Sequence, residues 1–120
     1  MNSSKLFRVS AIDGVLIVEL IGVVSSLADV SITQQLTLVR EQLRNGACDN
    51  VVIDLGQVAY FGSSMLEAIR TLWIEVSPRN GRLVLCNASE VAREILQIAK
   101  FDHLWPLVAT RADALALLQA

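Results

Sequence analysis

Two adjacent hydroxyls, Ser63 and Ser64 in "YFGSSM", stand where an apolar run gives way to a helical pattern. Serine at such a junction can do two kinds of chemistry. It can cap a helix: Ser64-Met65-Leu66-Glu67 fits the capping box S-x-x-E, in which Ser64 accepts the Glu67 amide and Glu67 reaches back to the Ser64 N–H. Such a cap contributes roughly 1 kcal/mol and needs no further role. The hydroxyl can also accept a phosphoryl group. A strand–loop–helix junction is surface-accessible, a helix N-terminus favours an anion, and a phosphate brings a charge of about −1.5 to −2 onto a neutral patch. Glu67 would be repelled and could swing away, so modification would alter the surface more than the fold. Of Tyr60 and Phe61, which precede the pair, one is expected in the core and the other on the loop.

Other reactive side chains are isolated. His103 lies beside Asp102 in "KFDHLW", which reads as a loop or helix exit, and Asp54 ends a strand where α/β sheets place ligands. One acid without partners is not a catalytic constellation. There is no P-loop, dinucleotide glycine fingerprint or metal-ligand cluster, so neither a metal nor a cofactor is expected and the chain does not read as an enzyme. Cys48 and Cys86 lack metal spacing, and Cys86 reads as a small buried hydrophobe. The net charge is −2, and lysines and arginines are scattered singly, which argues against a nucleic-acid surface. The two arginines of "SPRNGR" are expected in solvent. With no apolar run approaching ~18 residues and no signal-like start, membrane insertion is not expected, and a cytoplasmic protein follows by default.

The elements that must position the serines can be read from period and punctuation. A chain of 120 residues that is 53% apolar suits a single domain, residues 1–120, with an aliphatic core. "KLFRVSAIDGVLIVELIG" reads as two strands joined by a type I′ turn at Asp13-Gly14. Ile32, Leu36, Val39 and Leu43 mark a helix, with Arg40, Glu41 and Arg44 on its other side and Gly46 as its left-handed cap. "VVIDL" reads as a central strand. Met65, Ile69, Leu72 and Val76 form the stripe of the next helix, with Ile74 off it, and "RLVLC" is another buried strand. In "SEVAREILQIA", Val91, Ile95 and Ile98 are expected to share the buried face. "LWPLV" is an edge strand limited by Pro106, and Thr110 caps a last helix. The order β-β-α-β-α-β-α-β-α predicts a mixed α/β sheet with helices packed on it.

"DLGQVAYFGSSMLEAI", followed by "GRLVLCNASEVAREILQIAKFDHLWPLVATRADAL", resembles the STAS domains of bacterial anti-sigma-factor antagonists. Their pattern runs D-L-S-x-V-x-F-x-D-S-S-G, then a G-G-x-L-x-L-x-x strand and a V-x-x-x-L helix. Asp54, Leu55, Val58, Ser63 and Ser64 match, and Tyr60 takes the aromatic place. The resemblance covers essentially the whole chain. It implies a mostly parallel sheet after the first strand, with about four helices mainly on one side.

The same resemblance implies that Ser64, with Ser63 as the alternative, is phosphorylated by a GHKL-type serine kinase that doubles as anti-sigma factor. The unphosphorylated protein would bind that kinase and free sigma, and a serine phosphatase would reset the switch. Tyr60, Phe61, Gly62, Ser63, Ser64 and Met65 would form the docking segment. Self-association as a homodimer is left open. Two positions depart from the pattern: Gly62 replaces the acid before the serines, and Met65 puts a long side chain where the family has glycine. These favour a second reading, a STAS-like scaffold or subunit of a transport or signalling assembly without a phosphoswitch.

Overall fold

The computed structural model describes residues 7–21, 30–46, 48–57 and 63–119, with the side chains of 30–33, 63 and 64 outside that description. Asp13 and Gly14 both take positive φ, 50° and 78°, as a type I′ turn demands. They join β1 (Phe7–Ile12) to β2 (Val15–Leu20) as an antiparallel pair. The remaining strands, β3 (Asn50–Asp54), β4 (Leu83–Cys86) and β5 (Leu107–Val108), add in parallel, giving the sheet order β1-β2-β3-β4-β5. β5 follows Pro106 and is an edge strand of two residues, as its proline requires.

This order dictates where the helices go. Three parallel crossovers step across the sheet in one direction, and right-handed crossovers of that kind all leave their helices on the same face. That face carries α1 (Val30–Arg44), α2 (Ser63–Val76) and α3 (Glu90–Ile98), whereas α4 (Arg111–Gln119) follows the last strand and covers the opposite face.

The strands alternate accordingly. Leu16, Val18, Leu20, Val51, Ile53, Leu83 and Leu85 face the three helices, and Val15, Ile17, Val52, Val84 and Cys86 face α4. The expected stripe of α2 is buried throughout, at Met65, Ile69, Leu72 and Val76, and Ile74 lies outside it, exposed. On α1, Val39 and Leu43 are buried and Leu36 packs against them, while Ile32 is one of the side chains not described. Gly46 (φ 83°) closes that helix as expected. Trp105 is buried in the same core, stacked on Phe101 at 4.7 Å and edge-on to Trp73 at 6.5 Å.

Two expectations are corrected. The buried residues of α3 are Ala92 and Leu96, with Ile95 packed against the core, while Val91 and Ile98 are exposed. The helix uses its smallest apolar residue, Ala92, as the contact, which brings the helix close to the layer beneath. Arg79 is also not a solvated turn residue. After α2 the chain makes a short 3-10 turn, Ser77–Arg79, and the Arg79 guanidinium donates to the carbonyls of Leu43 and Cys48. It thereby adds a second donor to the Leu43 carbonyl at the end of α1, which also accepts the Gly46 amide at 3.2 Å.

Candidate functional site

Parallel strands deliver their carboxyl ends to one edge of the sheet, and in open α/β folds that edge is where sites are built. Here β3 brings Asp54 to the edge, the chain turns through Gly56 and Gln57, and α2 begins at Ser63. Tyr60, Phe61 and Gly62 fall outside the described residues. Ser63 and Ser64 are the first two described residues of α2, so the helix is already under way where the capping box placed its N-cap. Ser64 therefore sits within the helix rather than ahead of it. The Glu67 carboxylate is 3.8 Å from Arg70, and its backbone carbonyl accepts the Thr71 hydroxyl. Met65 is 2% exposed and its side chain belongs to the core.

Asp54 is not the solitary acid expected from the sequence. Its Oδ2 accepts two bonds from Arg111, from Nε at 3.1 Å and Nη2 at 2.7 Å. Its Oδ1 accepts the Gly56 amide at 2.9 Å and Asn87 Nδ2 at 3.1 Å. A Cβ on Gly56 would stand 3.1 Å from that oxygen and 3.4 Å from the Asn87 Cβ, so the absence of a side chain permits this tight turn.

Burial pushes the Asp54 carboxyl up, but the Gly56 amide, Arg111 and Asn87 together outweigh it and hold the group below its ordinary 3.8. The bonds from Asp54 in turn raise Arg111. An ionised carboxylate with both oxygens occupied is a structural staple, poorly suited to take a proton.

Cys86, next to Asp54 in register, has its thiol pushed up to about 12 by burial and by the Asp54 charge. It stays a protonated thiol, without nucleophilic character. His103 is exposed, 3.9 Å from Asp102, in the turn that follows α3. Among the described residues no group of three His, Cys, Asp or Glu could hold a metal ion, and no helix is long and apolar enough to cross a membrane.

A topological signal could have found the partners of Asp54. Asn87 directly follows β4 and Arg111 comes three residues after β5, so parallel pairing brings both to the edge where β3 ends.

The sequence profile of the STAS domain matches residues 7–114. The chain belongs to the STAS domain family. A curated relative from Bordetella bronchiseptica, BtrV, named as an anti-sigma factor antagonist, is 32% identical over 105 residues, 88% of this chain and 87% of that protein. Among solved structures, an anti-sigma-factor antagonist (STAS) domain protein from Planctomyces limnophilus superposes with a TM-score of 0.79 at 25% identity, covering 95% of this chain and 98% of the other. The unphosphorylated form of the anti-sigma factor antagonist SpoIIAA gives a TM-score of 0.79 at 17% identity, over 94% and 96% of the two chains. The phosphorylated form of SpoIIAA, a Bacillus cell fate determinant, gives 0.72 at 17% identity, over 92% and 96%. At that identity the SpoIIAA match speaks for the fold alone. It agrees with the STAS arrangement found here, five strands of which one pair is antiparallel, and four helices.

Proposed function

We propose that this STAS domain is an anti-sigma-factor antagonist, a cytoplasmic binding module rather than a catalyst, switched by phosphorylation of Ser64 with Ser63 as the alternative acceptor. The observation that carries the reading is the place of the serine pair. It opens the described part of α2 at the carboxyl edge of the parallel strands, where the helix dipole favours an added phosphate. The 32% identity to BtrV, named as an anti-sigma factor antagonist, supplies the regulatory context.

In this reading the unphosphorylated segment Tyr60–Met65 docks on a GHKL-type kinase that is also the anti-sigma factor. A phosphate at Ser64 then adds about two negative charges to the contact and releases the partner. A serine phosphatase restores binding. The burial of the Met65 side chain in the core supports the switch reading against one of the two departures from the family pattern. The other, Gly62 in place of an acid, supports the scaffold reading, in which the partner binds without regard to Ser64.

Incubation with the cognate kinase and ATP tests the assignment. Ser64→Ala is expected to abolish phosphate incorporation, with undiminished labelling of that variant excluding Ser64 as the acceptor. Ser64→Asp is expected to weaken partner binding about tenfold or more by calorimetric titration. Equal affinities for wild type, Ser64→Ala and Ser64→Asp would instead establish the scaffold.

A further inference from the structure

Glu19 and Asp54 are register partners on the adjacent strands β2 and β3. Like charges directly opposite one another in a sheet repel. Arg111, the first residue of α4, bridges them, with Nη2 2.7 Å from Asp54 Oδ2 and 3.7 Å from Glu19 Oε1. Arg8 of β1 reaches Glu19 at 3.3 Å but makes no contact with Asp54. Among the described residues Asp54 thus depends on one cation, supplied by the helix on the far side of the sheet from α2. The other oxygen of Asp54 holds the Gly56 amide, two residues along the chain toward Ser63.

We propose that Arg111 is a positioning residue for the Ser63–Ser64 segment: by bridging Asp54 and Glu19 it fixes the Asp54–Gly56 turn, seven positions before Ser63 in the chain. This rests on the serine-switch reading for its biological use, though not for its geometry. Without Arg111, Asp54 faces Glu19 unneutralised, its carboxylate turns away, and the Gly56 amide loses its acceptor. Ser64, eight positions along the chain from Gly56, is then presented less well to a kinase. The N-terminus of α4 becomes a place from which the presentation of Ser64 can be tuned at a distance.

Amide hydrogen exchange and amide chemical shifts of the isolated protein test this directly. In Arg111→Ala the Gly56 amide is expected to exchange about tenfold faster, as for a lost bond to a charged acceptor. The Ser63 and Ser64 amide resonances move with it. Adding Glu19→Gln, which removes the repulsion, restores most of both effects. Leu117→Ala, which loosens the packing of α4 without touching Asp54, leaves Gly56 and the serines as in wild type.

With the kinase, Arg111→Ala lowers kcat/KM for phosphorylation of Ser64 by roughly threefold to tenfold, the size expected from a displaced reacting group. The proposal is overturned if the Ser63 and Ser64 amides are unmoved in Arg111→Ala, if Leu117→Ala moves them equally, or if Glu19→Gln restores nothing. Should the serine amides move and recover as described while wild type takes no phosphate, the positioning role stands and the phosphoswitch falls.

Discussion

Asp54 takes its arginine from α4, 57 positions along the chain, whereas Glu75 takes two, Arg40 and Arg44, from the neighbouring α1. Arg40 Nε donates to Glu75 at 2.8 Å, and Arg44 reaches both oxygens, from Nε at 3.1 Å and Nη2 at 3.0 Å. The bonds are equally short, yet the consequences of breaking them differ. Asp54, itself 5% exposed, satisfies groups from three separate segments, a backbone N–H, a side-chain amide and a guanidinium. Glu75 satisfies only long, partly exposed side chains that can return to water. The value of an ion pair is set by what its loss leaves without a partner.

Asp54→Ala is the largest test of that difference. It strands Asn87, the Gly56 amide and the half-buried Arg111, and is expected to cost about 2–3 kcal/mol in chemical denaturation, with solvent at the exposed end of Arg111 limiting the loss. A change below roughly half a kcal/mol would place Asp54 with the surface pairs.

Acid is the next largest lever, and it acts on both carboxylates. Bonds from Arg44 lower the Glu75 carboxyl from its ordinary 4.5, against a smaller opposing effect of burial, and Asp54 lies below 3.8. Folded values below the unfolded ones mean stability that is fully present at neutral pH. It is lost as pH falls through 4.5 and 3.8 toward the lower folded values. Denaturation midpoints measured from pH 7 down to 3 should therefore decline below about pH 5, and less steeply in Asp54→Asn than in wild type.

The smallest effect belongs to Glu75→Ala, expected to lower the thermal midpoint by about 2 °C or less. Molar salt should reduce that difference by a larger fraction than the Asp54→Ala deficit, because Asp54 also holds the Gly56 amide and Asn87, bonds that salt screens less than ion pairs. A salt-insensitive Glu75 would erase the distinction between the two clusters.

Strand order and helix order were legible because local signals agree with the global fold. Asp13-Gly14 forces a hairpin, Pro106 confines β5 to an edge, and the α2 stripe offers one face far more apolar than the rest. α3 was misread for the opposite reason. Its apolar residues, Val91, Ala92, Ile95, Leu96 and Ile98, form a single broad face, and bulk favoured Val91 and Ile98 at one margin of it, whereas close packing selected Ala92 and Leu96 toward the other. Partners distant in sequence were hidden from local reading, and only the strand order could have brought Asn87 and Arg111 to Asp54. Nothing near Arg79 announces the carbonyls of Leu43 and Cys48, and nothing near Asp54 announces Arg111. The serine pair was visible as residue types at a junction, while its place inside α2 depended on where the helix starts.

The aromatic stack in the core has a spectroscopic consequence. Both tryptophans of the protein, Trp73 and Trp105, sit in that stack, with ring planes inclined by 66° and centroids 6.5 Å apart. Their emission and their coupled near-ultraviolet bands therefore originate from one spot beneath α2. An optical titration of this protein reports on the seating of that helix and of the Phe101 turn, and is blind to rearrangement at α4.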